Sequence, residues 1–160
     1  MLPPPVRKYL LTSVGSTPKI LASLLKGVSG EDAVWDKRPD PERFTLREVV
    51  AHLTDWDPIH IERINRILAE EEPLLPDMDE GQIAIENDYA HQDPIENLRL
   101  FEERRAELTK LLKGLPEDAW DRTAIRPPVI GRITVDQMAT LVLAHDVYHF
   151  EQVLAWLDSP

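Results

Sequence analysis

Apolar residues recur at helical spacing in four long stretches of the chain. These stretches cover residues 6–27, 45–71, 94–113 and 134–156. In each of them the apolar side chains stand three or four positions apart, which places them on one face of an α-helix. No alternation typical of a β-strand extends over a useful length. The pattern therefore predicts an all-α protein, a four-helix bundle with long connections.

Capping signals agree with three of the predicted helix starts. Thr45 with Glu48, and Thr134 with Gln137, have the spacing of a capping box, in which the first side chain bonds the third backbone N–H and the later side chain bonds back. Asp93 is followed by a proline, which is typical of a capped first turn. We therefore expect the second, third and fourth helices to begin at these positions.

Prolines and glycines leave the course of the first helix open. Gly15 and Pro18 interrupt its apolar pattern, so the segment forms either a new helix from Pro18 or one longer, kinked helix. Residues 1–5 are predicted to be an extended lead-in. Pro58 should kink the second helix or shift its phase. Residues 72–92 form a polar connection that is too long for a tight turn, so it crosses the bundle or covers one end.

Two similar segments divide the chain into corresponding halves. The sequence LLKGVSGEDAVWDK, from Leu24, matches LLKGLPEDAWDR, from Leu111, with small gaps. Each copy contains a short helical turn, for which Ser29 is the predicted cap in the first copy. Each copy also leads through a Pro-containing loop to a Thr-capped helix. Residues 1–160 are therefore expected to form a single domain with pseudo-two-fold helix–loop–helix halves.

Histidines stand on both of the corresponding helices. His145 and His149 are four residues apart, so they share one helical face one turn apart. His52 lies on the second helix, beside its apolar stripe and one turn before Trp56. Three neutral imidazoles from two helices could hold a divalent metal and leave a coordination position for water or substrate. The alternative is that these histidines are hydrogen-bonded residues at the edge of the core.

Other side chains near these histidines could complete a site. Three polar residues are candidates to orient the ligand imidazoles: Asp55, Asp146 and Gln152. Three larger residues are candidates for the pocket wall: Trp56, Arg63 and Tyr148. The alternatives are surface solvation for Asp55, core-edge packing for Tyr148 and an intrahelical ion pair for Arg63. The sequence identifies no catalytic residue.

Two further histidines are better explained without a metal. His60 falls within the apolar stripe of the second helix, which favours a buried, hydrogen-bonded side chain. His91 lies in the polar connection and is predicted to be solvated. Neither is included among the candidate ligands.

Composition limits the classes of partner. The chain has 29 acidic and 18 basic residues and a net charge of −11, which argues against binding to nucleic acids or to anionic membranes. It has no cysteine, so disulfides, thiolate nucleophiles and Cys-based metal sites are excluded. The N-terminal segment lacks the apolar run of a signal peptide, and no stretch approaches the ~18 apolar residues of a membrane span. We therefore expect a cytoplasmic protein that acts on a small molecule.

The fourth helix is apolar on two sides. The face opposite its histidines carries four apolar residues: Leu143, Val147, Phe150 and Leu154. A helix of this kind is either central or buried at a subunit interface. Because a four-helix bundle has no central helix, this face predicts a homodimer.

Several motifs together resemble one known family. They are AHLTDW around His52, the LLKGL-type helix end before EDAW, GRITVDQM before the fourth helix, and HDVYHFEQV within it. These motifs resemble the DinB-like family, four-helix-bundle proteins named after a bacterial damage-inducible gene. The resemblance runs from about Thr17 to the C-terminus. It implies a bundle in which His52, His145 and His149 bind a divalent metal, for which nickel, zinc and iron are all compatible with imidazole ligands.

The resemblance also suggests a range of activities. Relatives include transferases that use bacillithiol or mycothiol, so a low-molecular-weight thiol is a possible co-substrate. The leading hypothesis is a metal-dependent enzyme, a thiol S-transferase or a hydrolase, in which the metal activates a thiol or water. The alternative is a non-catalytic stress-response or partner-binding bundle with structural histidines.

Overall fold

The computed structural model describes residues 2–159, which form a bundle of four long helices. The helices are α1 (Pro4–Leu24), α2 (Leu46–Ala69), α4 (Pro94–Lys113) and α5 (Val135–Leu157), with the short helix α3 (Glu80–Glu86) in the connection between α2 and α4. Helices α1 and α2 each pack against both α4 and α5. The order around the bundle is therefore α1, α4, α2, α5, and the predicted four-helix architecture is confirmed.

The predicted caps are present at the helix starts. Thr45 Oγ1 accepts a hydrogen bond from Glu48 N at 3.2 Å, and Glu48 Oε2 accepts one from Thr45 N at 2.8 Å. Thr134 and Gln137 make the same reciprocal pair at 3.2 and 2.9 Å. The side chain of Asp93 accepts from two backbone N–H groups of the first turn of α4. Both capping boxes thus satisfy N–H groups that a helix start leaves unpaired.

The first helix is one continuous helix that contains Pro18. A separate helix beginning at Pro18 is therefore wrong, because Thr17 does not cap it. The hydroxyl of Thr17 instead lies inside the bundle, within hydrogen-bond distance of two acceptors, Asp146 Oδ2 at 2.7 Å and Val14 O at 3.0 Å. Pro58 likewise lies within α2 without ending it.

The N-terminal residues pack more closely than an extended lead-in would. Pro4 and Pro5 belong to the first turn of α1. Backbone N–H groups in the first turn have no partner within the helix, so the missing N–H of a proline costs nothing there. Leu2 N donates to Asp136 Oδ2 at 2.6 Å, and Arg7 Nε donates to Asp136 Oδ1 at 3.2 Å. The prediction for residues 1–5 is thus wrong for residues 4–5, and Met1 lies outside the described residues.

A short β-hairpin precedes α5, although no strand was predicted. Strands β1 (Thr123–Arg126) and β2 (Gly131–Thr134) pair antiparallel, with Thr123 opposite Thr134. Four residues per strand are too few for an alternating pattern to be recognised. Backbone bonds between Leu75 and Ile125 and between Ile125 and Pro73 tie the connection after α2 to this hairpin. The connection therefore covers one side of the bundle.

The internal repeat is visible in the structure. The two matching segments each form a 3-10 turn, at residues 33–36 and 117–121, and each turn buries a tryptophan, Trp35 or Trp120. The cap of the first turn is Asp32, whose side chain accepts from Val34 N. The prediction of Ser29 as the cap is wrong, because Ser29 contributes its carbonyl to Trp35 Nε1 at 2.7 Å.

The interior of the bundle has two apolar clusters with a polar layer between them. Along the bundle, the first cluster includes Ile64, Leu108 and Val142, and the second includes Leu53, Phe101 and Phe150. One buried polar residue from each long helix lies between these levels, and we call this set the polar layer: Thr17, Asp57, Arg105 and Asp146. The polar layer was not predicted.

Arg105 is the centre of the polar layer. Its guanidinium donates to Asp57 Oδ2 at 2.9 Å and to Asp146 Oδ1 at 3.1 Å. It also donates to Val14 O at 3.0 Å and bonds the hydroxyl of Thr17. The arginine side chain is only 2% exposed, and the two carboxylates are 0% and 1% exposed. A buried arginine held by two carboxylates therefore joins all four helices.

The second apolar face of α5 lies partly inside the bundle. Leu143 packs against the first cluster and Phe150 belongs to the second, because α5 has both α1 and α2 as neighbours. Val147 and Leu154 remain about half exposed. Two neighbouring helices thus account for part of the apolar character that suggested a subunit interface, and the homodimer stays a prediction. Within residues 2–159, no helix has the length and apolar content to cross a membrane.

Candidate metal centre

The structure brings His52, His145 and His149 together. One potential ligand atom from each residue lies within 4.8 Å of the other two. His52 comes from α2, and the other two come from successive turns of α5. The Nε2 atoms of His52 and His145 are 2.9 Å apart. The three ring centroids are separated by 4.7 to 5.0 Å.

This arrangement fits a divalent transition metal. Ligand nitrogens at a tetrahedral zinc ion, with bonds of about 2.0–2.1 Å, stand about 3.3 Å apart. The separation of 2.9 Å between the Nε2 atoms of His52 and His145 is within a few tenths of an ångström of that value. Three imidazoles without a carboxylate suit zinc, nickel or iron rather than magnesium or calcium.

Gln152 orients one of the three imidazoles. His149 Nδ1 lies 3.3 Å from Gln152 Oε1, and Gln152 Nε2 donates to Phe44 O at 2.7 Å. If His149 Nδ1 carries the proton, its Nε2 is left for the cluster. The Nδ1 atoms of His52 and His145 have no hydrogen-bond partner within residues 2–159. No hydrogen bond at Nδ1 therefore orients those two rings.

Burial keeps the three histidines neutral near pH 7. It lowers the pKa of His52 well below the ordinary value, and repulsion from His149 and His145 in their protonated forms lowers that pKa further. Burial also lowers the pKa of His145 and of His149 to about 4. A metal binds the neutral form of imidazole, so these low pKa values prepare the cluster for coordination.

The metal-free protein is expected to lose stability on acidification from pH 7 to pH 5. The unfolded imidazoles take up protons near pH 6.5, whereas folded His145 and His149 resist protonation down to about pH 4. Protons therefore bind preferentially to the unfolded state below pH 6.5, and each of the two histidines lowers the free energy of unfolding by roughly 2 kcal/mol between pH 7 and pH 5. Burial raises the pKa of Asp57 to about 6, which opposes this trend for one group. Urea unfolding at pH 7, 6 and 5 checks the result, and an unchanged free energy of unfolding would contradict it.

Two predicted orienting residues point elsewhere. Asp55 accepts hydrogen bonds from Arg104 Nη1 and from Asn87 Nδ2, each at 2.8 Å. Asp146 belongs to the polar layer and bonds Arg105 and Thr17. Neither carboxylate hydrogen-bonds an imidazole among the described residues. Each instead forms an ion pair with an arginine of α4. These two assignments are therefore corrected.

The predicted pocket residues occupy different depths. The ring centroid of Trp56 lies 5.4 Å from that of His52 and 5.7 Å from that of His145, so this tryptophan forms a wall of the cluster. The ring of Tyr148 meets His149 edge-on at 5.2 Å and is largely exposed. Arg63 is buried behind Trp56, with its guanidinium carbon 5.4 Å from the Trp56 ring centroid.

A surface cleft of about 250 Å³ leads to His149. Its walls come from the segment before α2, from the start of α3 and from α5, and include Arg43, Phe44, Glu80 and Tyr148. The sequence did not single out Arg43, Phe44 or Glu80. For the first two, their position just before the cap of α2 was the available signal, whereas nothing placed Glu80 beside α5.

The remaining histidines lie as their surroundings suggested. His60 is buried, although its Nδ1 has no partner within residues 2–159, so the predicted hydrogen bond is absent at that atom. His91 is exposed, and its Nδ1 lies 2.6 Å from Asp88 Oδ1. Neither belongs to the three-histidine cluster.

Comparison with known proteins gives consistent matches. Residues 15–153 match the family model of the DinB superfamily. YfiT of Bacillus subtilis (strain 168) is 28% identical over 110 residues, which are 69% of this chain and 62% of YfiT. The chain thus matches about three fifths of that relative's length. The solved structure of YfiT, described as a probable metal-dependent hydrolase with an unusual four-helix bundle topology, superposes with a TM-score of 0.88 at 22% identity, over 98% of this chain and 88% of YfiT.

The structural match establishes the shared fold, and the family match extends over most of the chain. The matched region contains His52, His145 and His149, together with both capping boxes. The chain belongs to the DinB superfamily.

Proposed function

We propose that this protein is a metal-dependent hydrolase of a small molecule, with a divalent metal held by His52, His145 and His149. The observation that carries the proposal is the convergence of three neutral imidazoles beside an open cleft. The description of YfiT as a probable metal-dependent hydrolase supports the same reaction class. Zinc, nickel and iron remain the candidate metals.

A metal bound there would lower the pKa of a water molecule towards neutrality and so supply a nucleophile without a cysteine or serine. The chain provides the surroundings for that chemistry. Trp56 and Phe44 flank His52, with ring centroids 5.4 and 5.2 Å from its own, and keep solvent away from that ligand. Substrate would approach through the cleft, past Tyr148.

Glu80 is the residue that we assign to proton transfer. It lines the same cleft as His149, and partial desolvation there raises the pKa of its carboxyl group, although the side chain remains accessible to solvent. A carboxyl group with a raised pKa accepts and returns a proton more readily near neutral pH.

A thiol S-transferase would use the same metal and the same cleft. The chain has no cysteine, so the thiol would be a separate small molecule that the metal binds as thiolate. The two reactions differ in one requirement, since hydrolysis proceeds without an added thiol. Both differ from a non-catalytic bundle, in which the histidines are structural.

The test is metal analysis combined with a substrate screen. Protein purified without added metal is expected to contain about one transition metal per chain, whereas His145→Ala should contain none, because two imidazoles bind too weakly. Hydrolysis of a panel of esters and amides, with and without thiols, should follow metal content. His91→Ala is the matched control, since His91 is 80% exposed and outside the cluster. Wild-type protein that holds no stoichiometric metal even after reconstitution would contradict the proposal.

A further inference from the structure

A group of buried hydrogen-bond donors lies next to the three-histidine cluster. Trp56, His60 and Arg63 occupy one face of α2 at helical spacing, and all three are buried. The ring centroid of His60 is 5.7 Å from that of Trp56 and 6.5 Å from that of His145. This face of α2 therefore continues directly from the candidate metal centre into the protein.

Arg126, at the end of β1, joins this group from another element. Arg63 Nη2 donates to Pro76 O at 3.2 Å, and Arg126 Nη2 donates to Asp77 Oδ1 at 2.9 Å. The two guanidinium groups thus bond consecutive residues of one segment, and they are close enough for the charge of Arg126 to act on Arg63. Burial, and after it the positive charge of Arg126, lowers the pKa of Arg63 to about 10.

These donors lack acceptors. Within residues 2–159, Trp56 Nε1, Arg63 Nη1 and Arg126 Nε are buried and have no hydrogen-bond partner, and the same holds for His60 Nδ1. Arg63 is 3% exposed and Arg126 is 6% exposed. A buried donor without an acceptor is destabilising, and two adjacent arginines repel each other. Asp77 forms an ion pair with Arg126. The charge of Arg126 also acts on Glu80, where it partly offsets the rise in pKa caused by burial, but both acids lie at the surface.

A small oxyanion would satisfy this arrangement. A carboxylate or a phosphate accepts several hydrogen bonds and neutralises adjacent guanidinium groups. We propose that an oxyanion-binding subsite for the substrate is formed by four residues: Trp56, His60, Arg63 and Arg126. Its role in substrate binding rests on the proposed function. The short distance from His60 to His145 means that the anionic group lies close to the bond that is cleaved, so the substrate is a small anionic molecule.

The test measures anion binding rather than turnover. The protein as purified is titrated with sodium phosphate and with sodium acetate, by calorimetry and thermal unfolding, against sodium chloride at equal ionic strength. Saturable binding of phosphate or acetate is expected, and the tighter of the two identifies the type of oxyanion. Arg63→Met and Arg126→Met should weaken it by at least about tenfold, because each removes a charged donor. Arg66→Met is the matched control on α2, since Arg66 pairs with Glu70 at the surface, and it should change binding by less than about twofold.

Further variants keep the result unambiguous. Trp56→Phe removes one donor and retains the ring, and it should weaken binding even if an arginine variant does not fold. His145→Ala should retain anion binding while losing metal, which separates this subsite from the metal centre and from the proposed function. No saturable binding, equal loss in Arg66→Met, or loss of anion binding in His145→Ala would each overturn the proposal.

Discussion

Replacement of Arg105 by alanine is expected to lower the free energy of unfolding by about 3–5 kcal/mol. Arg105 is the cation of the polar layer and bonds Asp57 and Asp146 inside the bundle. The substitution leaves two carboxylates buried without their counter-ion, and this desolvation cost is larger than the packing lost with the side chain. Urea or thermal unfolding of Arg105→Ala beside the wild type measures the change.

Two comparisons test the cause of this loss. Arg99→Ala on the same helix should have little effect, because Arg99 pairs with Glu96 and Glu103 in solvent. The defect of Arg105→Ala should also be smaller at pH 5 than at pH 8. Burial already raises the pKa of Asp57 to about 6, and loss of the arginine raises this pKa further. At pH 5 the buried carboxyl group of Asp57 is therefore protonated and no longer needs a counter-ion. An equal defect at both pH values would show that lost packing, rather than uncompensated charge, is responsible.

Metal binding is expected to stabilise the fold by about 4 kcal/mol when free metal exceeds its dissociation constant about 1,000-fold. The three ligands come from α2 and α5, so the ion would join two helices that must separate on unfolding. Thermal unfolding of metal-free protein, with zinc or nickel added, measures the effect. His52→Gln should abolish the metal-dependent increase, since it removes the ligand contributed by α2.

His60→Gln is the control for this measurement. His60 is also buried on α2 but lies outside the cluster, so its loss should leave the metal-dependent increase intact. The increase should change little from pH 7 to pH 5 at the same free metal concentration, because burial lowers the pKa of His145 and of His149 to about 4 and so keeps the imidazoles neutral over this range. A metal response that survives in His52→Gln and disappears in His60→Gln would contradict the ligand assignment.

The sequence was most informative where local chemistry decides the structure. Thr45 and Thr134 cap their helices as predicted, because a capping box involves residues only three positions apart. The meeting of His52 with His145 followed from the internal repeat, which placed α2 and α5 in equivalent positions. The helical spacing on α5 then supplied His149.

The sequence was least informative where distant charges meet. Asp57 and Arg105 stand on helices that otherwise show ordinary amphipathic patterns. Arg105 is 48 residues from Asp57 and 41 residues from Asp146 in the chain. Each therefore resembles a solvated surface charge until the helices pack. The same reason explains why Asp146 was assigned to an imidazole, and why Arg126 was not connected to Arg63.

The polar layer also determines how far each helix can slide along its neighbours. A shift of one neighbouring helix by a single turn, about 5.4 Å, would move its polar residue into an apolar cluster and remove one of the partners of Arg105. Alternative staggers are thereby penalised, so the bundle has one favoured axial alignment. His145 adjoins Asp146 in the chain, and His52 lies little more than one turn from Asp57. The ion pairs therefore set the height at which imidazoles from opposite halves of the molecule face each other.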